Sequence, residues 1–295
     1  MKLIGDTHFG KKFKTGVSLN RRGELEELFY SKFEKELNEP DELVVQLGDL
    51  FDSVIVDLNT IMRVFRIIHD ASFKNKNTKF IFIRGNHDAQ RDSAQTSAFD
   101  ILEEMCLSLV NVKFVKDTLR IENKVFIGWD YFREKTLREL LYEIGLKDGD
   151  VLFGHFEEPV DPVLLEINND VFSGHIHKQH CVENVNFIGS LLPIAFGEEN
   201  DDSFMETLSL EELLSKNPNE FINKRIRVLL KDGEELPDNI NCLQLIAKRS
   251  EKQSIVLDNE IEEVDMRKLF EEELSESGLV EELYERYNDK LHSNQ

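Results

Sequence analysis

The chain has 295 residues, 40% of them hydrophobic and 32% charged, with a formal net charge of −22. That composition belongs to a globular chain that folds in water, and no apolar run reaches the ~18 residues a membrane-spanning helix needs. The first residues run straight into a polar motif at Asp6, which leaves no room for a signal peptide, so a cytoplasmic protein without a membrane segment is expected.

Acidity of this size opposes a polyanionic partner, because phosphate binding draws on basic surface. Two features offset it. Carboxylates that ligate metal are neutralised by the cations they hold. The charge is also uneven: residues 257–285 are strongly acidic, whereas residues 11–22 hold Lys11, Lys12, Lys14, Arg21 and Arg22 without an acid. Cys106, Cys181 and Cys242 are odd in number and far apart, fit no disulfide or metal-knuckle spacing, and read as buried reduced thiols.

In chain order, strand-like runs fall at Lys2–Gly5, Leu43–Leu47, Lys79–Ile83, Val112–Val115, Lys124–Gly128, Val151–Phe153, Val171–Phe172 and Val185–Ile188. Helical patterns fall at Glu24–Leu37, Leu58–Ala71, Ala98–Leu107 and Lys135–Ile144. This alternation predicts α/β layers around a mixed sheet. After the polar break at 198–202, Ser209 and Glu212 form a capping-box pattern. Strands are expected at Arg225–Lys231, Cys242–Lys248 and Ser254–Leu257. Helical stripes follow: one from Ile261 to Leu274 with a stop at Gly278, another through Leu279, Leu283, Tyr287 and Leu291. The organisation expected is a main domain over 1–203, a small α+β module over 204–258, and terminal helices over 259–295.

Five short motifs carry the chemistry: Gly5-Asp6-Thr7-His8, Gly48-Asp49-Leu50-Phe51-Asp52, Gly85-Asn86-His87-Asp88, Gly154-His155 and Gly174-His175-Ile176-His177. Most stand just after a strand-like run, where glycine lets the backbone turn and side chains converge. Carboxylates, imidazoles and one amide oxygen, with no sulfur, suit Mn²⁺, Fe²⁺ or Zn²⁺. Asp6, His8, Asp49, Asn86, His155, His175 and His177 are too many ligands for one ion and about right for two. Two ions sharing a carboxylate can clamp a phosphoester and lower the pKa of a bound water toward ~7. Asp52 either fixes a histidine or caps the next helix. His69, His180 and His292 have no motif around them, though His180 stands close enough to His177 in sequence to support it.

The ordered set resembles the calcineurin-like metallophosphoesterases. The resemblance implies a β-sandwich flanked by helices with a two-metal site at one edge. It also implies that Asp6, His8, Asp49 and His177 hold one ion, and that Asp49, Asn86, His155 and His175 hold the other. His87 then matches the family's general acid, oriented by Asp88. Two further stretches, Asp6-Thr-His-Phe-Gly10 and Gly189-Ser-Leu-Leu-Pro193-Ile-Ala-Phe196-Gly197-Glu198, resemble SbcD-type nucleases, in a size similar to versions encoded by large bacteriophages. The second stretch is one that metal chemistry does not by itself require. This resemblance implies a Mn²⁺-dependent DNA exonuclease and endonuclease, an SbcC-type coiled-coil ATPase partner, a homodimer, a DNA-capping module and C-terminal docking helices. The basic cluster at 11–22 is then a candidate DNA contact. A phosphatase of the same superfamily, acting on a small molecule or a phosphoprotein, shares the metal motifs and is the alternative.

Overall fold

The structure is a computed structural model that describes residues 1–39, 41–90, 95–133, 135–198, 203–237 and 240–249. The strand expected at Ser254–Leu257, the two helical stripes and the 259–295 segment lie outside the described residues.

The first half consists of β1 (Lys2–Ile4), α1 (Glu24–Asn38), β2 (Leu43–Gln46), α2 (Leu58–Lys74), β3 (Lys79–Ile83), α3 (Ala98–Cys106) and β4 (Val112–Val115). Its strands form a parallel sheet in the order β1-β2-β3-β4. Side chains alternate across a strand. Val44, Phe80 and Phe82 therefore face α1 to α3, where Phe33, Leu37, Val64, Ile68 and Phe99 are buried. Val45, Ile81 and Ile83 face the opposite way. Helix α2 is capped by the Asp57 carboxylate, which accepts the Thr60 amide at 3.0 Å, so Asp52 is not the cap.

The second half consists of β5 (Thr118–Ile121), β6 (Lys124–Ile127), α4 (Leu137–Glu143), β7 (Val151–Gly154), α5 (Pro162–Glu166), β8 (Val171–Ser173), β9 (His180–Val182) and β10 (Val185–Phe187). These strands form a mixed sheet in the order β5-β6-β7-β8-β10-β9. Phe126, Phe153 and Phe172 stand side by side on β6, β7 and β8, with successive rings stacked. They meet Val45, Leu47, Ile81 and Ile83 of the first sheet in one buried layer. Val125, Leu152 and Val171 point outward under α4 and α5. Each fully buried side chain of this kind contributes about 1.5–3 kcal/mol. The result is the expected α/β sandwich with helices on both outer faces.

Strands β5 and β9 escape the sequence reading for a common reason. Each is joined to the next strand by a two-residue turn, Glu122-Asn123 or Glu183-Asn184, whose first residue adopts φ of +55° or +52°. Such turns are usually advertised by Asn-Gly or Asp-Gly. Edge strand β9 also carries Cys181, which is exposed; only Cys106 and Cys242 are the buried thiols expected.

Next come β11 (Met205–Ser209), α6 (Leu210–Ser215), β12 (Arg225–Leu230) and β13 (Gln244–Arg249), a small parallel sheet in the order β11-β12-β13. Ser209 and Glu212 form the anticipated capping box at the start of α6. Ile226, Val228, Leu213 and Phe221 form a local core. The Leu245 amide donates to Gly16 O at 2.8 Å and the Gln244 side chain donates to Thr15 O at 2.8 Å. Residues 1–249 thereby make one compact unit.

Candidate metal centre

Every motif residue stands where a parallel strand ends. Asp6 and His8 follow β1, Asp49 and Asp52 follow β2, and Asn86, His87 and Asp88 follow β3. His155 follows β7, and His175 and His177 follow β8. The carboxyl ends of parallel strands are where α/β sheets gather ligands, and here two sheets present theirs along one edge. The turns are tight. An added Cβ on Gly48, at φ +99°, would stand 2.3 Å from the His155 ring, and one on Gly85 would stand 2.2 Å from Asp49. His8, Asp49 and His175 themselves adopt positive φ of 44°, 50° and 75°. Side-chain residues are held in this region only when the surroundings over-determine them, as at functional sites.

Two clusters of lone pairs result. In the first, His155 Nε2 lies 2.9 Å from Asn86 Oδ1, 3.3 Å from His175 Nδ1 and 3.3 Å from Asp49 Oδ1. The other His155 nitrogen is engaged by Leu47 O at 2.8 Å, which directs Nε2 into the cluster. In the second, His8 Nε2 lies 3.1 Å from His177 Nε2 and 3.6 Å from Asp49 Oδ2, and Asp6 Oδ2 stands 3.8 Å from His177 Nε2. Asp49 offers one oxygen to each cluster. All seven ligand candidates are therefore brought together around Asp49.

Such a set fits cations better than protons. A ring nitrogen facing three acceptors can share a proton with only one of them. Ligands bonded at ~2.0–2.2 Å to one ion stand roughly 3–3.5 Å apart, close to the spacings seen here. Asp6 Oδ2 is buried without a hydrogen-bond donor. Burial works against ionising Asp49, yet His155 and His8 hold its carboxyl below the ordinary range. Burial pushes the Asp6 carboxyl up. Burial would also lower His155, but Asp49 and Asp6 lift it to about 9. His175 is held down at about 4 by burial first and by His155 second.

Residues 2–179 match the model of the calcineurin-like phosphoesterase family. The chain belongs to that family. No curated protein gives a significant match. As a calcineurin-like phosphoesterase it is a metal-dependent hydrolase of phosphoesters, of a family that works with two metal ions.

Around the ligands of this phosphoesterase, the structure revises several roles. His87 is exposed, and its ring is oriented by Asp52 O, 2.7 Å from Nδ1, rather than by Asp88. The Asp88 carboxylate instead accepts the backbone amides of Leu50, Phe51 and Gly85 at 3.1, 2.9 and 3.0 Å. It ties the second and third motif loops together. His87 also comes near His8, ring centroids 4.9 Å apart, so it stands beside the second cluster. The Asp52 carboxylate lies 3.5 Å from His8 Nδ1 and 3.2 Å from Lys11 Nζ, which favours support of a histidine over helix capping. His180 pairs with Glu158 at 2.7 Å, and His69 pairs with Asp70 at 3.0 Å.

The basic cluster divides. Lys12, Lys14 and Arg22 line a groove of about 470 Å³ with Tyr30 and Arg63, and a smaller pocket connects His8 with Lys11, Lys12 and Phe13. Arg21 is turned inward: its guanidinium donates to Ile222 O at 2.7 Å and to Asn241 at 3.1 Å, and it pairs with Glu24.

Two residues were not singled out from sequence. Glu198 Oε1 lies 3.0 Å from His177 Nδ1, so the Gly189–Glu198 stretch serves the metal centre after all. Trp129, in the short 3-10 helix after β6, stacks on His175 with centroids 6.1 Å apart and meets the His155 ring edge-on. Its signal was available: like the metal motifs, it follows a strand and a glycine, Gly128.

Proposed function

We propose that this phosphoesterase is a DNA-end nuclease subunit of the SbcD type, hydrolysing phosphodiester bonds in recombination and double-strand break repair. The observation that supports it best is that Lys11 and Lys12 line a small pocket with His8, and that Lys12, Lys14 and Arg22 continue into a neighbouring groove shared with Glu26, Glu27 and Asp57, in a chain whose charge is strongly negative. Side chains of this kind displace counterions from a phosphate backbone and make binding salt-dependent. The SbcD-type resemblance favours Mn²⁺, and the O/N ligand set is compatible with Mn²⁺, Fe²⁺ or Zn²⁺. The reading includes an SbcC-type coiled-coil ATPase partner, a homodimer, the small sheet after residue 204 as part of a DNA cap, and a cytoplasmic setting.

Two cations held by the seven ligands would neutralise phosphoryl oxygens and lower the pKa of a water. The chain's own residues do the rest. Asp49 presents one oxygen to each position and accepts the His87 amide at 2.9 Å, fixing the base of the His87 loop. His87 donates its Nδ1–H to Asp52 O, which leaves Nε2 free to face an entering substrate. In the imidazolium form Nε2 also carries a proton, and His87 gives that proton to the departing alkoxide and is left as the neutral ring.

The test incubates the full chain and Mn²⁺ with end-labelled linear duplex DNA, alongside a phosphomonoester. Salt-sensitive release of nucleotides from DNA, lost in a Lys12→Ala/Lys14→Ala/Arg22→Ala variant, is expected. Hydrolysis of the monoester with DNA left intact would overturn the nuclease reading in favour of a phosphatase.

A further inference from the structure

Arg225 and Gln244 are a buried polar pair at the first positions of β12 and β13, directly opposite in register, only 2% and 4% exposed. Neither lies in the catalytic motifs. The Arg225 guanidinium donates to Pro193 O at 2.7 Å, to Ile194 O at 2.8 Å and to Gln244 Oε1 at 2.7 Å, and it lies over the Phe13 ring at 4.8 Å. A desolvated guanidinium is tolerated only when its donors are used, so its geometry is fixed by these partners.

Both arms of the pair lead to the metal centre. On one side, the loop held at Pro193 and Ile194 continues into Glu198. Glu198 Oε2 accepts the Ile194 and Ala195 amides, each at 2.8 Å, while Oε1 contacts His177 Nδ1 at 3.0 Å. On the other side, Gln244 Nε2 donates to Thr15 O at 2.8 Å, and Leu245 N donates to Gly16 O at 2.8 Å. These bonds grip the loop that leaves His8, whose carbonyl accepts the Lys11 amide at 3.2 Å. The two braced loops thus serve His8 and His177, whose Nε2 atoms face each other at 3.1 Å. The other position is held from within the large sheets: His155 by Leu47 O at 2.8 Å and the His175 amide by Asp6 at 3.2 Å.

We infer that Arg225 and Gln244 are positioning residues for the His8/His177 half of the metal centre, acting through the 11–16 and 193–198 loops. The small parallel sheet therefore tunes one of two cation positions and leaves the other alone. Any partner that shifts this sheet alters hydrolysis through that one ion. The inference rests on the two-cation reading of the site and deepens it.

The test uses the full chain with Arg225→Met, Arg225→Lys and Gln244→Leu, and the exposed Leu229→Thr as control on the same strand. In metal-free protein, the His177 ring N–H resonance, protected by Glu198, is expected to shift or exchange faster in Arg225→Met and to recover partly in Arg225→Lys. In a Mn²⁺ titration that resolves two steps, one step weakens by about 10–100-fold, the usual effect of losing support behind a ligand. The second step stays as in the unaltered chain, and Leu229→Thr changes neither. Gln244→Leu gives the same one-sided weakening and carries the test if Arg225→Met fails to fold. Two unchanged steps, or equal weakening of both, overturn the inference. An unaltered chain that binds fewer than two ions would instead sink the two-cation reading itself.

Discussion

Glu198 Oε1 stands 3.0 Å from Nδ1 of His177, with the other Glu198 oxygen fixed by two backbone amides. A carboxylate behind a metal-ligating histidine sets its tautomer and raises its basicity. Glu198→Gln keeps the shape and removes the charge. Mn²⁺ affinity at one position should fall by about 10–100-fold, measured by calorimetric titration, while the fold, followed by circular dichroism, is retained.

His87 is exposed and held through its Nδ1 by a carbonyl, so it can be altered at little cost to the core. His87→Ala should lower turnover by ~10²–10⁴, as loss of a general acid does. Elemental analysis should still find both ions. Loss of metal from this variant would count against the proton-donor role.

Asp88 behaves differently, because it satisfies three buried amides. Burial, then the neighbouring Asp49, pushes its carboxyl up to about 7 against those amides. Asp88→Ala should destabilise the protein by at least about 3 kcal/mol, since each orphaned buried donor costs ~1–3 kcal/mol. Urea unfolding of the metal-free chain measures it, and a near-neutral result would contradict a clamp.

Arg84, just before the third motif, pairs with both Asp100 and Asp130. Burial opposes ionisation of Asp100, but Ser97 and Arg84 outweigh it and hold the carboxyl at about 2, below the ordinary 3.8. A carboxyl depressed in the folded state releases its proton more readily there, so its stabilisation is present above the unfolded value. It is lost as pH falls from the ordinary value through about 2. The Tm gap between the unaltered chain and Asp100→Asn should therefore be full at pH 5 and shrink toward pH 2.

Trp129 is the chain's single tryptophan and stacks on His175. Mn²⁺ added to metal-free protein should quench its emission at stoichiometric concentration. In Asp49→Ala, which removes the carboxylate common to both clusters, quenching should need far higher concentrations and elemental analysis should no longer find two ions. Equal quenching in both proteins would place the cation elsewhere.

The strands and helices that build the sandwich were legible because hydrophobic period and glycine-plus-polar motifs are local. Lys79–Ile83 and Val112–Val115 could be bounded to the residue; in the first, Phe80–Ile83 is the continuous apolar run of a buried parallel strand. The seven candidate ligands were legible for the same reason: each is a type-specific residue within three positions after a glycine. Tertiary structure decided everything that depends on which turns meet. Asp88 stands next to His87 in the chain and Asp52 four residues after Gly48, yet folding gives Asp88 to three backbone amides and Asp52 O to His87. Glu198, Trp129, Arg225 and Gln244 act on histidines far away in sequence. No local pattern encodes a contact that exists only after two sheets have packed and brought their strand ends to one edge.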